Sequence, residues 1–172
     1  AEEAEEKLTE IKRLAEQYTL LRIAAKLLED EIERYRSENQ DPILSIAGKY
    51  FAELTLNSFQ GLRTDLDDKG EQIIVGLRHN GQWITAEGMS SGTRDQLFLA
   101  LRLASLEYRL EYNEPMPFIV DDILINFDES RSKAALKTLN DLGQKNQVLL
   151  FSHHRHVADM AESLGTGQVH PL

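Results

Sequence analysis

Cysteine is absent from this chain of 172 residues. Disulfides and thiolate metal sites are thereby excluded, and the composition fits a reducing compartment, with the cytoplasm the expected location. No apolar run approaches the roughly 20 residues of a membrane-spanning helix, and no signal peptide is visible, so no membrane association is expected. Basic residues are in deficit: 19 Lys and Arg face 29 Asp and Glu, a net charge of −10. The deficit is spread evenly, with 12 acids against 7 bases in residues 1–41 and 17 against 12 in the rest. Affinity for nucleic acid comes largely from Lys and Arg on phosphates, so composition argues against strong binding by this chain alone. A phosphate loop of the form Gly-x-x-x-x-Gly-Lys-Ser/Thr is missing too. The single Gly-Lys pair, Gly48-Lys49, is followed by Tyr50, has Ile43 where the first Gly should stand, and lies inside a predicted helix. The chain opens on Ala, as expected of a piece cut from a longer protein.

What is present suits one core plus an appendage. Ile11, Leu14, Tyr18, Leu21, Ala25, Leu28, Ile32 and Tyr35 alternate three and four apart, and Ala4 extends the series by one position. This seam predicts one helix to about Ser37, roughly 55 Å long, forming the end of a coiled-coil arm over residues 1–40. Asp41-Pro42 then supplies an N-cap and a first helical position. Ile43, Ala47, Tyr50, Phe51 and Leu54 share one face of the short helix that follows. Strands are predicted over 62–66, 72–78 and 82–85, separated by Asp67-Asp68-Lys69-Gly70 and by His79-Asn80-Gly81, an antiparallel hairpin portion. An alternating segment follows: helix 94–112, strand 118–121, helix 128–142 between Asp128 and Gly143, strand 148–152, helix 156–162 and a last strand at 168–170. That order implies a parallel sheet with flanking helices. The fold class is α/β, with residues 41–172 as one lobe.

Three segments carry chemistry. Met89-Ser90-Ser91-Gly92-Thr93 precedes a helix, where free backbone N–H groups favour a phosphate, although Ser and Thr there are more often simple caps. Phe118-Ile119-Val120 ends in Asp121-Asp122 at the carboxyl edge of a strand, where ligands bind in open α/β folds. Two consecutive acids diverge from an extended strand, so the second reaches a common site only where the chain turns. Capping of the next element or pairing with an Arg would also account for them. Leu149-Leu150-Phe151-Ser152 ends in His153-His154, with His156 nearby. Adjacent side chains diverge, so the three make poor metal co-ligands, whereas a single His suffices to donate one hydrogen bond to a phosphate.

Taken in order, these segments resemble the signature motif, the Walker B strand with its D-loop, and the switch-histidine loop of ABC-type ATPases. The chain is similar to the C-terminal lobe of SMC/SbcC/RecN-like heads, and most similar to the YhaN-like branch, in which a Ser- and Gly-bearing signature runs into a Thr-Arg-Asp-Gln helix start. The resemblance covers residues 62–172, and the helix at 1–38 matches the returning arm. It implies an ATPase that binds ATP and Mg²⁺ between two heads. Ser90, Ser91 and Gly92 would meet the γ-phosphate on the opposite head. Asp121 would hold Mg²⁺, Asp122 would stand in place of the usual catalytic Glu, Asn126, Phe127 and Asp128 would form the D-loop, and His153 would read the γ-phosphate. The implied partners are an N-terminal lobe carrying the Walker A loop, a second head, DNA, and a nuclease subunit. The alternative is a degenerate head serving as a non-catalytic dimerisation module.

Two departures stand out. The signature differs from Leu-Ser-Gly-Gly-Gln at three positions. Asp122 is one CH₂ shorter than Glu, about 1.5 Å less reach, and a misplacement near 1 Å can cost roughly 10²-fold in rate.

Overall fold

The computed structural model describes residues 2–38, 41–165 and 167–170. The chain divides into two compact units, residues 1–40 and 41–172. The first is a single helix, α1 (Glu2–Glu38). Its helicity follows from an unbroken run without Gly or Pro, supported by pairs such as Lys26 with Asp30 at 2.9 Å, four residues apart. Ile11, Leu14, Tyr18, Leu21 and Leu28 of the predicted seam are each more than half exposed. Leu20, Ile23 and Leu27 add a second exposed apolar line. The side chains of Ala4, Ile32 and Tyr35 lie outside the described residues.

In the second unit, α2 (Pro42–Leu54) starts where expected, with Asp41 accepting from the Ile43 N–H at 2.8 Å. Leu44, Ala47, Phe51 and Leu54 are buried, and Gly48 lets the helix close on the backbone of the next strand. A Cβ at Gly48 would lie 3.1 Å from the Leu62 nitrogen, so this glycine serves packing. Strands β1 (Phe59–Leu66), β2 (Gln72–Arg78) and β3 (Trp83–Thr85) form an antiparallel sheet in the order β1-β2-β3. β1 begins three residues earlier than predicted, because an irregularity between Phe59 and Gly61 hides its alternation.

A single 3₁₀ turn at Ala86–Gly88 leads to α3 (Ser91–Leu110). The helix starts three residues before the predicted position because Ser90 caps it. Then follow β4 (Phe118–Asp121), α4 (Glu129–Gly143), β5 (Val148–Phe151) and α5 (Arg155–Ser163). β4 and β5 pair in parallel, Phe118 opposite Val148 and Asp121 opposite Phe151. The predicted strand at 168–170 is not formed; those residues are irregular, and β5 pairs only with β4 among the described residues. The architecture is α/β, with the parallel pair and the antiparallel sheet separate. Phe51, Leu54, Leu97, Ala100, Leu103, Leu136 and Leu139 join α2, α3 and α4 in one core. Gln96 is fully buried within it and donates to the Leu54 carbonyl at 2.6 Å, satisfying the C-terminal end of α2.

Candidate active site

The acidic strand end forms as a turn. Asp121 is the last residue of β4 and is exposed, and its carboxylate has no partner among the described residues. At Asp122 the chain enters the left-handed region, with φ of +46°. Few residues other than Gly adopt this conformation, and Asp is one that tolerates it. The turn aims the Asp122 carboxylate at the loop after β5. There Oδ1 accepts from the His153 backbone N–H at 3.2 Å, and Oδ2 lies 2.5 Å from His153 Nδ1. The hydrogen bonds from His153 hold the Asp122 carboxyl below its ordinary range. The Asp122 N–H also donates to the Phe151 carbonyl at 3.0 Å, continuing the ladder one residue past β4.

The His153 ring lies tilted against that of His154, with ring centroids 3.9 Å apart, and the His154 and His156 ring centroids are 5.3 Å apart. Among the described residues no three His, Cys, Asp or Glu side chains converge as metal ligands. Asp121 is a hard oxygen donor free to serve a divalent cation that keeps most of its waters, which suits Mg²⁺.

The signature segment and the D-loop segment touch each other. Ser90 caps α3, its Oγ accepting from the Thr93 N–H at 3.3 Å and lying 2.8 Å from Thr93 Oγ1. Ser91 is exposed on the first turn, and Gly92 is buried. A Cβ at Gly92 would stand 2.6 Å from the Asn126 carbonyl oxygen, so no larger residue fits without a shift. Asn126 Nδ2 donates to Asp95 Oδ2 at 2.7 Å. Asp128 caps α4, accepting from the Arg131 N–H at 2.8 Å, with Arg131 Nε 3.4 Å from its Oδ2.

The structure thus brings Asp122 to His153 and Gly92 to Asn126. No hydrogen bond joins Ser90 or Ser91 to Asp121, Asp122 or His153 among the described residues. Sequence reasoning missed Asp95, although it stands in the Thr-Arg-Asp-Gln start of α3; its partner lies 31 residues away.

This is the fold of SMC ATPase heads. One matching structure, from a study of ATP-driven dimerization and DNA-stimulated activation of SMC ATPases, superposes with a TM-score of 0.58 at 18% identity, over 70% of this chain and 73% of that one. The Smc head domain with coiled coil and joint from Pyrococcus yayanosii gives 0.56 at 16% identity, over 86% of this chain and 28% of that one. The Pyrococcus furiosus head bound to the C-terminal domain of ScpA gives 0.55 at 17%, over 71% and 29%. In sequence the chain is 30% identical over 155 residues to the uncharacterized protein YhaN of Bacillus subtilis (strain 168). That match takes in 89% of this chain and 16% of YhaN, so the chain spans about a sixth of that relative's length. No protein-family model matches the chain.

Proposed function

We propose that this chain is the C-terminal part of an ATP-binding and hydrolysing head of the SMC type, working as one half of a composite site. The observation that carries the reading is the Asp122–His153 contact beside the free carboxylate of Asp121. The likeness to SMC heads supports it at the level of fold.

In this reading Asp121 holds Mg²⁺, which when bound neutralises phosphate charge. Asp122 orients the attacking water and takes up its proton at a carboxylate oxygen. His153, whose Nδ1 faces Asp122, keeps that carboxylate in place and leaves Nε2 to meet the γ-phosphate. The first turn of α3, with Ser90, Ser91 and Gly92, serves the nucleotide of a second head. Asn126 and Asp128 line the same interface. An N-terminal lobe with the Walker A loop completes the nucleotide site. Support for that lobe comes from β4 and β5, which leave Ile119, Leu149 and Phe151 exposed, whereas parallel strands are ordinarily covered on both faces. Closure of two heads around Mg-ATP moves the coiled-coil arms, and the work is on DNA in the cytoplasm, in repair, processing or defence, with a nuclease subunit as a further partner. Among the described residues no helix is long and apolar enough to cross a membrane.

A second reading, a non-catalytic dimerisation module, draws on Asp122 itself. The side chain is shorter than Glu and already engaged by His153. Single-turnover hydrolysis by the complete protein, comparing Asp122→Asn with wild type, separates the two. A fall of about 10²-fold or more supports catalysis. Equal rates remove Asp122 from the mechanism.

A further inference from the structure

Asn126 is held at two points by one helix. Its carbonyl rests on Gly92, where a Cβ would come within 2.6 Å, and its side-chain amide donates to Asp95 at 2.7 Å. Gly92 and Asp95 lie three residues apart on α3, hence on the same face of the first turns. The rest of the loop is anchored elsewhere. Phe127 packs against the core and donates its N–H to the Leu124 carbonyl at 3.0 Å, while Asp128 caps α4. Asn126 is therefore the point at which α3 can steer this loop.

We propose that Asp95 is a positioning residue that locks the segment Asn126–Asp128 to the start of α3, so that both are presented to a second head as one rigid unit. The proposal rests on the composite-site reading above. Asp95 touches neither phosphate nor metal; it acts through Asn126. A carboxylate is not essential to the lock, because an Asn at position 95 still offers a carbonyl oxygen to the Asn126 amide.

The test has two arms. In the present chain, Asp95→Ala should shift the side-chain amide resonances of Asn126 and speed exchange of the Phe127 amide severalfold, while the Tyr50 and Leu103 amides stay as in wild type. Asp95→Asn should restore most of the protection. Unchanged Asn126 resonances and Phe127 exchange in Asp95→Ala would overturn the lock. In the complete protein, Asp95→Ala should lower kcat roughly tenfold, in keeping with a small misplacement at a reacting site, with KM for ATP within about twofold and Asp95→Asn recovering the rate. An active wild type with an equally active Asp95→Ala variant overturns the positioning role alone. A wild type without ATPase activity overturns the underlying reading instead.

Discussion

Asp122 and His153, 31 residues apart, meet with a carboxylate oxygen 2.5 Å from the ring Nδ1, and the His153 N–H binds the other oxygen at 3.2 Å. The contact ties the ends of the two parallel strands together on the edge where ligands bind. It also shows how a short acid reaches the loop after β5. The backbone turns left-handed at Asp122, so the carboxylate is carried sideways toward the β5 loop without needing the extra length of Glu.

The first consequence concerns protonation. Hydrogen bonds from His153 depress the Asp122 carboxyl. A depressed carboxylate stabilises the contact at pH above its unfolded value, near 3.9, and the benefit is lost as pH falls through the lower folded value. In His153→Ala, the Asp122 carboxyl should therefore titrate higher than in wild type, measured by carbon NMR of the side-chain carboxyl. An unmoved titration would remove His153 as the cause.

A second consequence concerns Gly92. In an open helix, Gly to Ala gains up to about 1 kcal/mol from propensity. At Gly92 the new Cβ would meet the Asn126 oxygen at 2.6 Å, a backbone atom that yields poorly. Gly92→Ala should instead lose about 1–3 kcal/mol in urea unfolding, the usual range for overpacking. A stability gain would mean that the two loops are free to part.

A third consequence concerns the half-buried pair of Tyr50 and Glu107. Glu107 accepts from the Tyr50 hydroxyl at 2.6 Å and from Lys145 Nζ at 3.1 Å, and the Tyr50 bond is the main cause that holds its carboxyl below the ordinary range. Burial, then the same bond, pushes the Tyr50 hydroxyl far above its usual value. The Glu107 contribution is present above its unfolded pKa, near 4.3, and fades as pH falls through the lower folded value. The Tyr50 contribution is present below about pH 10 and fades as pH rises beyond it. Glu107→Gln should cost about 1–2 kcal/mol at pH 7, with the difference from wild type shrinking below pH 4. A pH-independent difference would show that the ionised carboxylate is not the stabilising species.

Much of the local structure was legible in the sequence because single residues dictate it. Asp41 and Asp128 cap their helices where expected, and Gly143 ends α4. Elements failed where signals were short or interrupted. Gln60 and Gly61 masked the start of β1, and residues 168–170 carry a strand-like pattern but do not join the sheet. In the apolar strand 118–121 Ile119 is 62% exposed, because a face is covered only when a neighbour lies on it. In the candidate site, residue types at strand and helix ends were visible. Their partners were not: Asp122 with His153 and Asp95 with Asn126 arise from chain folding over 31 residues each, which no local pattern encodes.

If the two clusters serve one site built from two heads, mixing defective variants of the complete protein restores a working site. Ser91→Arg blocks the first turn of α3 and Asp122→Asn removes the proposed base, so each variant alone should be inactive. After subunit exchange, a mixed dimer contains one site with both intact halves, and ATPase activity should return to about a quarter of wild type for free mixing and independent sites in a two-fold dimer. No recovery from a mixture shown to have exchanged subunits, or full activity in either variant alone, would rule out a site shared between two heads.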